Sequence, residues 1–175
     1  MSGRAVTMEE LLTAREERAK RQREILEETG AAALISLTIV RPGPVKRTER
    51  TRELFFTAQN VIMSALLGMP AAPLYAETRE RDTGDEWLAA LYFPAHLVKR
   101  RMCELEEQLP YGRLLDIDVL DGEGAHISRA ELGLPERGCL VCGAPGRACA
   151  ASRAHTLEEL EIAQERIFAA MEEGV

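Results

Sequence analysis

The chain has 175 residues, 46% of them hydrophobic, and a formal charge of −7 at pH 7; this suffices for one good core, makes a second independent domain unexpected, and argues against general binding to nucleic acid or anionic membranes. No apolar run, that from Ala31 to Leu37 included, is long enough to cross a bilayer, and the first ten residues lack the apolar centre of a signal peptide. The expectation is a cytoplasmic protein with no membrane or nucleic-acid partner, whose four cysteines are reduced or ligate metal.

Thr7, with Glu10 three residues on, forms a capping box that opens a helix over 8–28, and Gly30 closes it. Its surface is dense in charge and its apolar stripe of Met8, Leu11, Leu12, Ile25 and Leu26 is interrupted, so it reads as a solvated helix lying on the domain. Residues 33–40 alternate, with Ala33, Ile35, Leu37 and Ile39 on one face and Leu34, Ser36, Thr38 and Val40 on the other, which predicts a strand. It runs into Arg41-Pro42-Gly43-Pro44-Val45-Lys46-Arg47, a stiff loop able to hold backbone amides, Gly43 among them, and Lys46 in place for phosphate oxygens. Arg47, Arg50 and Arg52 add positive charge to the start of the next helix, 48–67, whose Leu54, Phe55, Ala58, Val61, Ile62, Ala65 and Leu66 are core and which Gly68 ends. The plainer reading of the loop is a turn followed by a solvated basic face.

Strands are expected over 74–78 and 86–93, joined by a turn through Asp82 to Asp85, with Trp87 in the core. Pro94 opens a helix with Val98, Met102, Leu105 and Leu109 on one side and Lys99, Arg100 and Arg101 on its outer side, until Pro110 stops it. The stretch 111–120, Tyr-Gly-Arg-Leu-Leu-Asp-Ile-Asp-Val-Leu, then reads as a strand with Leu115, Ile117 and Val119 on one face and Asp116 and Asp118 on the other. Two acids on one face repel unless a cation lies between them, and magnesium with phosphate oxygens suits paired carboxylates. Gly112 and Arg113 before them supply close backbone approach and a phosphate-binding fork. The plain alternative is the solvated face of an edge strand. The order strand, helix, strand, strand, helix, strand is that of an α+β, ferredoxin-like βαββαβ sandwich. In that arrangement the last strand lies antiparallel beside the first, and Arg41 to Arg47 approaches Gly112, Arg113 and the acids.

Cys139, Cys142, Cys149 and His155 follow with the spacing Cys-x2-Cys-x6-Cys-x5-His in a glycine- and proline-containing stretch. Three cysteines and one histidine complete a tetrahedral shell with no open position, so the expectation is a structural zinc tying down a loop with too few apolar residues to fold alone; reduced cysteines without metal are the other reading. Arg129, Arg137, Arg147 and Arg153 lie around this loop, where some of them could meet the same anion. A capped helix over 156–172, with Leu157, Leu160, Ile167, Phe168 and Met171 inward, ends the chain. One domain, 1–175, is expected, with a core over 31–127 and a zinc-stapled loop and helix over 128–175.

Pro-Gly-Pro-Val-Lys at 42–46, Gly-Arg-Leu-Leu-Asp-Ile-Asp-Val-Leu at 112–120, Ile-Ser-Arg at 127–129, Leu-Pro-x-Arg-x-Cys-Leu-x-Cys at 134–142 and Cys-Ala-x-Ser-Arg-x-His at 149–155 together resemble the citrate lyase holo-acyl-carrier-protein synthases. The resemblance implies a basic residue at position 151 in many relatives, where this chain has Ala151. The resemblance implies transfer of the phosphoribosyl-dephospho-coenzyme A group from its triphosphate precursor, triphosphoribosyl-dephospho-coenzyme A, to a serine of the citrate lyase apo acyl carrier subunit, with release of diphosphate. Asp116 and Asp118 would then hold Mg2+, Lys46 and Arg113 would serve catalysis, and Arg41, Gly43, Gly112 and Arg129 would bind substrate. A more distant similarity, confined to Gly-Arg-x-x-Asp-x-Asp, is to the ferredoxin-like pterin pyrophosphokinases. An ATP-dependent pyrophosphokinase and a non-catalytic zinc-binding interaction module are therefore the alternative functions.

Overall fold

A computed structural model describes residues 3–173; the predicted C-terminal stretch runs to 175, and its last two residues lie outside this range. The elements are α1 (Met8–Thr29), β1 (Ala33–Ile39), α2 (Glu49–Leu67), β2 (Pro73–Arg79), β3 (Glu86–Leu91), α3 (Ala95–Gln108), a 3-10 turn at Gly112–Leu114, β4 (Leu115–Asp121), a second at Ala130–Leu132, α4 (Gly146–Ser152) and α5 (Leu157–Glu173). The four strands form one antiparallel sheet in the order β2-β3-β1-β4. This is the ferredoxin-like α+β sandwich that the element order predicts.

Alternation along the strands decides what lies on each face. Ala33, Ile35 and Leu37 of β1, Trp87, Ala89 and Leu91 of β3, and Leu115, Ile117 and Val119 of β4 join Leu54, Phe55, Ala58, Ile62 and Leu66 of α2 and Val98, Met102 and Leu105 of α3 in the main core. Each large side chain buried there stabilises the fold by about 1.5–3 kcal/mol. The opposite face carries Leu34, Leu88, Ala90 and Leu120 against Ile25 and Leu26 of α1. Beyond this smaller cluster α1 leaves Asp116 exposed and Thr38 and Asp118 half-buried.

Several local expectations need correction. The acid strand begins at Leu115, not Tyr111, because residues 112–114 form a 3-10 turn in which Leu114 N–H donates to the Tyr111 carbonyl at 2.8 Å. That turn packs on the end of α3 so closely that a Cβ on Gly112 would stand 2.0 Å from the Glu106 carbonyl oxygen. Lys99 is buried, not on an outer basic face. Met8, Leu12 and Leu157 are exposed, because α1 and α5 press only part of their length on the body. The strand expected over 86–93 ends at Leu91, and α4 was not anticipated. The Thr7–Glu10 capping box, the Gly30 cap in left-handed conformation and the Thr156–Glu159 cap of α5 all form as predicted.

Candidate functional site

The ladder between β1 and β4 sets Thr38 opposite Asp116 and Ser36 opposite Asp118, so both acids stand on the face that α1 only partly covers. Thr38 Oγ1 lies 3.4 Å from Asp116 Oδ2, in position to donate to it. His126 pairs across from Leu120 in an isolated bridge, which puts its ring on the same face, with Nδ1 4.0 Å from Asp118 Oδ1. Asp116 is exposed yet closely surrounded by protein, and the resulting desolvation, with Asp118 as a second cause, pushes its pKa up; Arg137 and Arg18 act in the opposite sense. Two neighbouring carboxylates whose joint ionisation is opposed have the chemistry to hold a hard divalent cation between them.

The loop after β1 converges on the same end of the sheet. Val40 N–H donates to the Leu114 carbonyl at 2.8 Å, joining the start of the basic loop to the turn that precedes the acids. Gly43 takes a positive φ of 75° that other residues resist. Lys46 Nζ donates to the Arg41 carbonyl at 2.6 Å, and Arg41 donates to Val45 O and to Gln164 Oε1 on α5, at 3.3 Å in the second case. Gln164 in turn donates to Val40 O at 2.9 Å. The loop is thus held in one shape by its own side chains and by α5. Burial foremost, then the nearby charges of Arg15 and Arg41, lower the Lys46 pKa, so its ammonium favours an incoming anion.

The other predicted arginines are engaged within the protein. Arg113 donates to the Gly138 carbonyl. Arg129 pairs with Glu106 at 2.8 Å and Glu107 at 2.9 Å on α3. Arg47 pairs with Asp85 and Glu80, Arg52 with Glu80, and Arg50 with Glu165 while lying over the Phe168 ring at 4.7 Å. The basic helix start is therefore largely neutralised by neighbouring acids. Thr38, Arg15 and Arg18 belong to the surroundings of the acids and Lys46 without any local sequence signal for it, since only strand register and helix placement bring them there, whereas Arg137, whose charge reaches Asp116, is one of the four arginines expected around the cysteine loop.

From 128 to 155 not one residue is buried, yet the chain closes on itself around the cysteines. One ligand atom each from Cys139, Cys142, Cys149 and His155 falls within 4.8 Å of all the others, a group that could hold a metal ion. The Sγ atoms of Cys142 and Cys149 are 3.6 Å apart, close to the edge of about 3.8 Å that a tetrahedron with metal–sulfur bonds of about 2.3 Å requires. His155 Nε2 is buried with no hydrogen-bond partner, and Nδ1 stands 4.0 Å from Glu159 Oε2. A carboxylate behind one ring nitrogen and an unsatisfied second nitrogen is the arrangement of a metal-binding histidine. The Cys142 N–H holds the Cys139 thiol down to about 7, within reach of the thiolate form that binds metal.

Comparison with known proteins points one way. A profile of the family described as apo-citrate lyase phosphoribosyl-dephospho-CoA transferase matches residues 6–171. A protein of Citrobacter koseri bearing that name is 38% identical over 168 residues, 94% of this chain and 89% of the relative. One of Escherichia coli O139:H28, with the same name, is 37% identical over 163 residues, 91% and 86% of the two chains. A protein of Streptococcus pyogenes serotype M18, named a probable apo-citrate lyase phosphoribosyl-dephospho-CoA transferase, is 36% identical over 170 residues, 95% and 88%.

Proposed function

Because the chain belongs to the apo-citrate lyase phosphoribosyl-dephospho-CoA transferase family, we propose that it moves the phosphoribosyl-dephospho-CoA group from triphosphoribosyl-dephospho-CoA to a serine of the apo acyl carrier subunit of citrate lyase. The chain is a transferase. The serine oxygen bonds to the phosphorus nearest the sugar, the bond from that phosphorus to the outer two phosphates breaks, the serine proton is lost and diphosphate departs.

The observation that carries this reading is the pair Asp116 and Asp118 on one open face, with the rigid loop that holds Lys46 leaving β1 at the end of the sheet where β4 begins. Asp116 and Asp118 hold magnesium, which when bound polarises phosphoryl oxygens and offsets charge on the departing diphosphate. Lys46 and Arg41 contribute positive charge from the loop, and Gly43 lets its backbone approach the phosphates. Arg113 and Arg129 act from behind and add to the field, while Gly112 lets the turn before the acids pack closely on α3. The nucleophile comes from the carrier protein, so positioning and electrostatics supply most of the rate. The metal of the Cys139, Cys142, Cys149 and His155 cluster is zinc, structural because four protein ligands leave no open position.

The test is the intact mass of apo carrier subunit after incubation with this protein, magnesium and the triphosphate precursor, with Asp118→Asn in parallel. A mass gain equal to the prosthetic group that disappears in the variant supports transfer and the acid pair together. Transfer by both proteins would leave the activity standing and remove the acids from it.

A further inference from the structure

The turn before the acid strand and the start of the cysteine loop exchange hydrogen bonds in both directions. Arg137 Nη2 donates to the Gly112 carbonyl at 3.0 Å and approaches the Arg113 carbonyl at 3.4 Å, while Arg113 donates back to the Gly138 carbonyl. Arg137 Nη1 also lies 3.6 Å from Glu106 Oε1, a carboxylate that is 4% exposed and shared with Arg129. A fork of this kind fixes direction as well as distance, which a lysine could not do.

What holds Arg137 itself is the closed cysteine loop. Its own carbonyl accepts from Gly146 N–H at 2.9 Å, Cys139 N–H donates to Ala144 O, and Gly138 and Pro145 pair in an isolated bridge. A Cβ on Gly146 would stand 2.9 Å from the Arg137 carbonyl oxygen, so the two arms of the loop touch. No side chain of this segment is fully buried, and only Leu140, partly buried, packs from it against the main core. Its closure depends on the four ligands that follow, the first of them two residues after Arg137. On the other side of the clamp, Asp116 begins three residues after Arg113, and the Arg137 charge reaches it.

We propose that Arg137 is a positioning residue for the phosphate site, and that metal bound at Cys139, Cys142, Cys149 and His155 holds it in place, so that metal loading and polyphosphate binding at Asp116 and Asp118 are coupled. The inference rests on the reading of the acid pair as a divalent-cation and phosphate site. Stripping the metal opens the loop, removes Arg137 from the Gly112 and Arg113 carbonyls and takes the Gly138 carbonyl from Arg113. The turn leading into β4 then loosens while the main core, which shares no residue with the clamp, stays packed. Coupling between two sites is reciprocal, so bound polyphosphate tightens retention of the cluster's metal.

The experiment titrates Mn2+ with inorganic triphosphate into zinc-loaded protein, chelator-stripped protein, stripped protein reloaded with zinc, and zinc-loaded Arg137→Ala and Arg137→Lys, reading bound Mn2+ by electron paramagnetic resonance. Amide hydrogen exchange is followed over 112–118 and over β1. The expected result is binding at least about 10-fold weaker in stripped protein and in both variants, recovery on reloading, and faster exchange over 112–118 with β1 unchanged. Near-wild-type binding by Arg137→Lys would overturn the positioning role in favour of simple charge. Equal binding and equal exchange in stripped and loaded protein would overturn the coupling. If zinc-loaded wild type binds no Mn2+ with triphosphate, the acid-pair reading has failed, and exchange over 112–118 still decides whether the metal holds the clamp.

Discussion

The ammonium of Lys99 donates a 2.7 Å hydrogen bond to the carbonyl of Ile117, the residue between the two aspartates. Lys99 is buried, and it reaches from α3 to the outer edge of β4, whose other side pairs with β1. Ile127 N–H takes the next carbonyl along this edge, that of Val119, at 2.8 Å. The edge that carries the acids is thereby closed from behind, and the strand is protected from pairing elsewhere. Lys99→Met keeps the stem and leaves the Ile117 carbonyl without its donor. The expected loss is about 1–2 kcal/mol, a fall in Tm of about 3–6 °C. Faster amide exchange in β4 should accompany it, and a calorimetric scan with an exchange map checks both.

Asp116→Asn and Asp118→Asn separate function from stability. If the acids hold the phosphate-bound cation as proposed, either change should lower transfer at least about 100-fold. Desolvation and Asp118 raise the Asp116 pKa, so the folded state holds that proton more tightly than the unfolded chain does. At pH 7 the charged carboxylate therefore weakens the fold, and the burden lifts as pH falls through the raised folded value. Solvent screening limits its size. Asp116→Asn should gain about 1–2 °C in Tm at pH 7, a gain that vanishes below the ordinary carboxylate range. A lower Tm at neutral pH would show that the carboxylate is satisfied by partners instead.

Lys46 carries a pH dependence of the opposite kind. Burial, then Arg15 and Arg41, lower its pKa from the ordinary 10.5. Its charge is unfavourable in the folded state below the lowered value, and stability is gained as pH rises through it. Phosphate binding needs the charge, so KM for the triphosphate precursor should climb at a pH below 10.5 while kcat changes less. Lys46→Arg keeps its charge throughout and should show no such climb, at about a few-fold higher KM from its altered shape. Equal alkaline profiles for the two proteins would remove Lys46 from the phosphate site.

What could be read in the sequence follows the range of the interactions involved. Alternation in 33–39 and 115–121 is local, and it gave the faces of both strands, the neighbouring acids and, through element order, the sheet itself. The cysteine spacing is local too and the four ligand atoms do gather. The turn at Gly112 was not legible, because its cause is the end of α3 pressing on a glycine. Lys99 was assigned to an outer face because polarity patterns take no account of a long stem that can carry its charge to a strand edge. The partners of Arg129 lie on α3, and those of Arg137 on α3 and in the turn at Gly112, all more than twenty residues away, so nothing beside either arginine marks it as engaged.

The cysteine cluster makes the last prediction. His155 Nε2 has no partner, its Nδ1 faces Glu159 Oε2, and that same oxygen accepts from Thr156 N–H at 2.8 Å to cap α5. One carboxylate therefore both faces the imidazole and caps the helix that follows it. Purified protein should contain one zinc per chain by elemental analysis, and Cys142→Ser or His155→Ala should lose it. Glu159→Gln should keep all four ligands and bind zinc about 10-fold more weakly, since it weakens the group that orients the imidazole. Chelation should lower Tm and expose Cys139, Cys142 and Cys149 to alkylation, with Cys103, buried in the main body, protected until the core unfolds. Full alkylation of the three thiols in protein as isolated, with no metal detected, would mean that the loop closes without an ion.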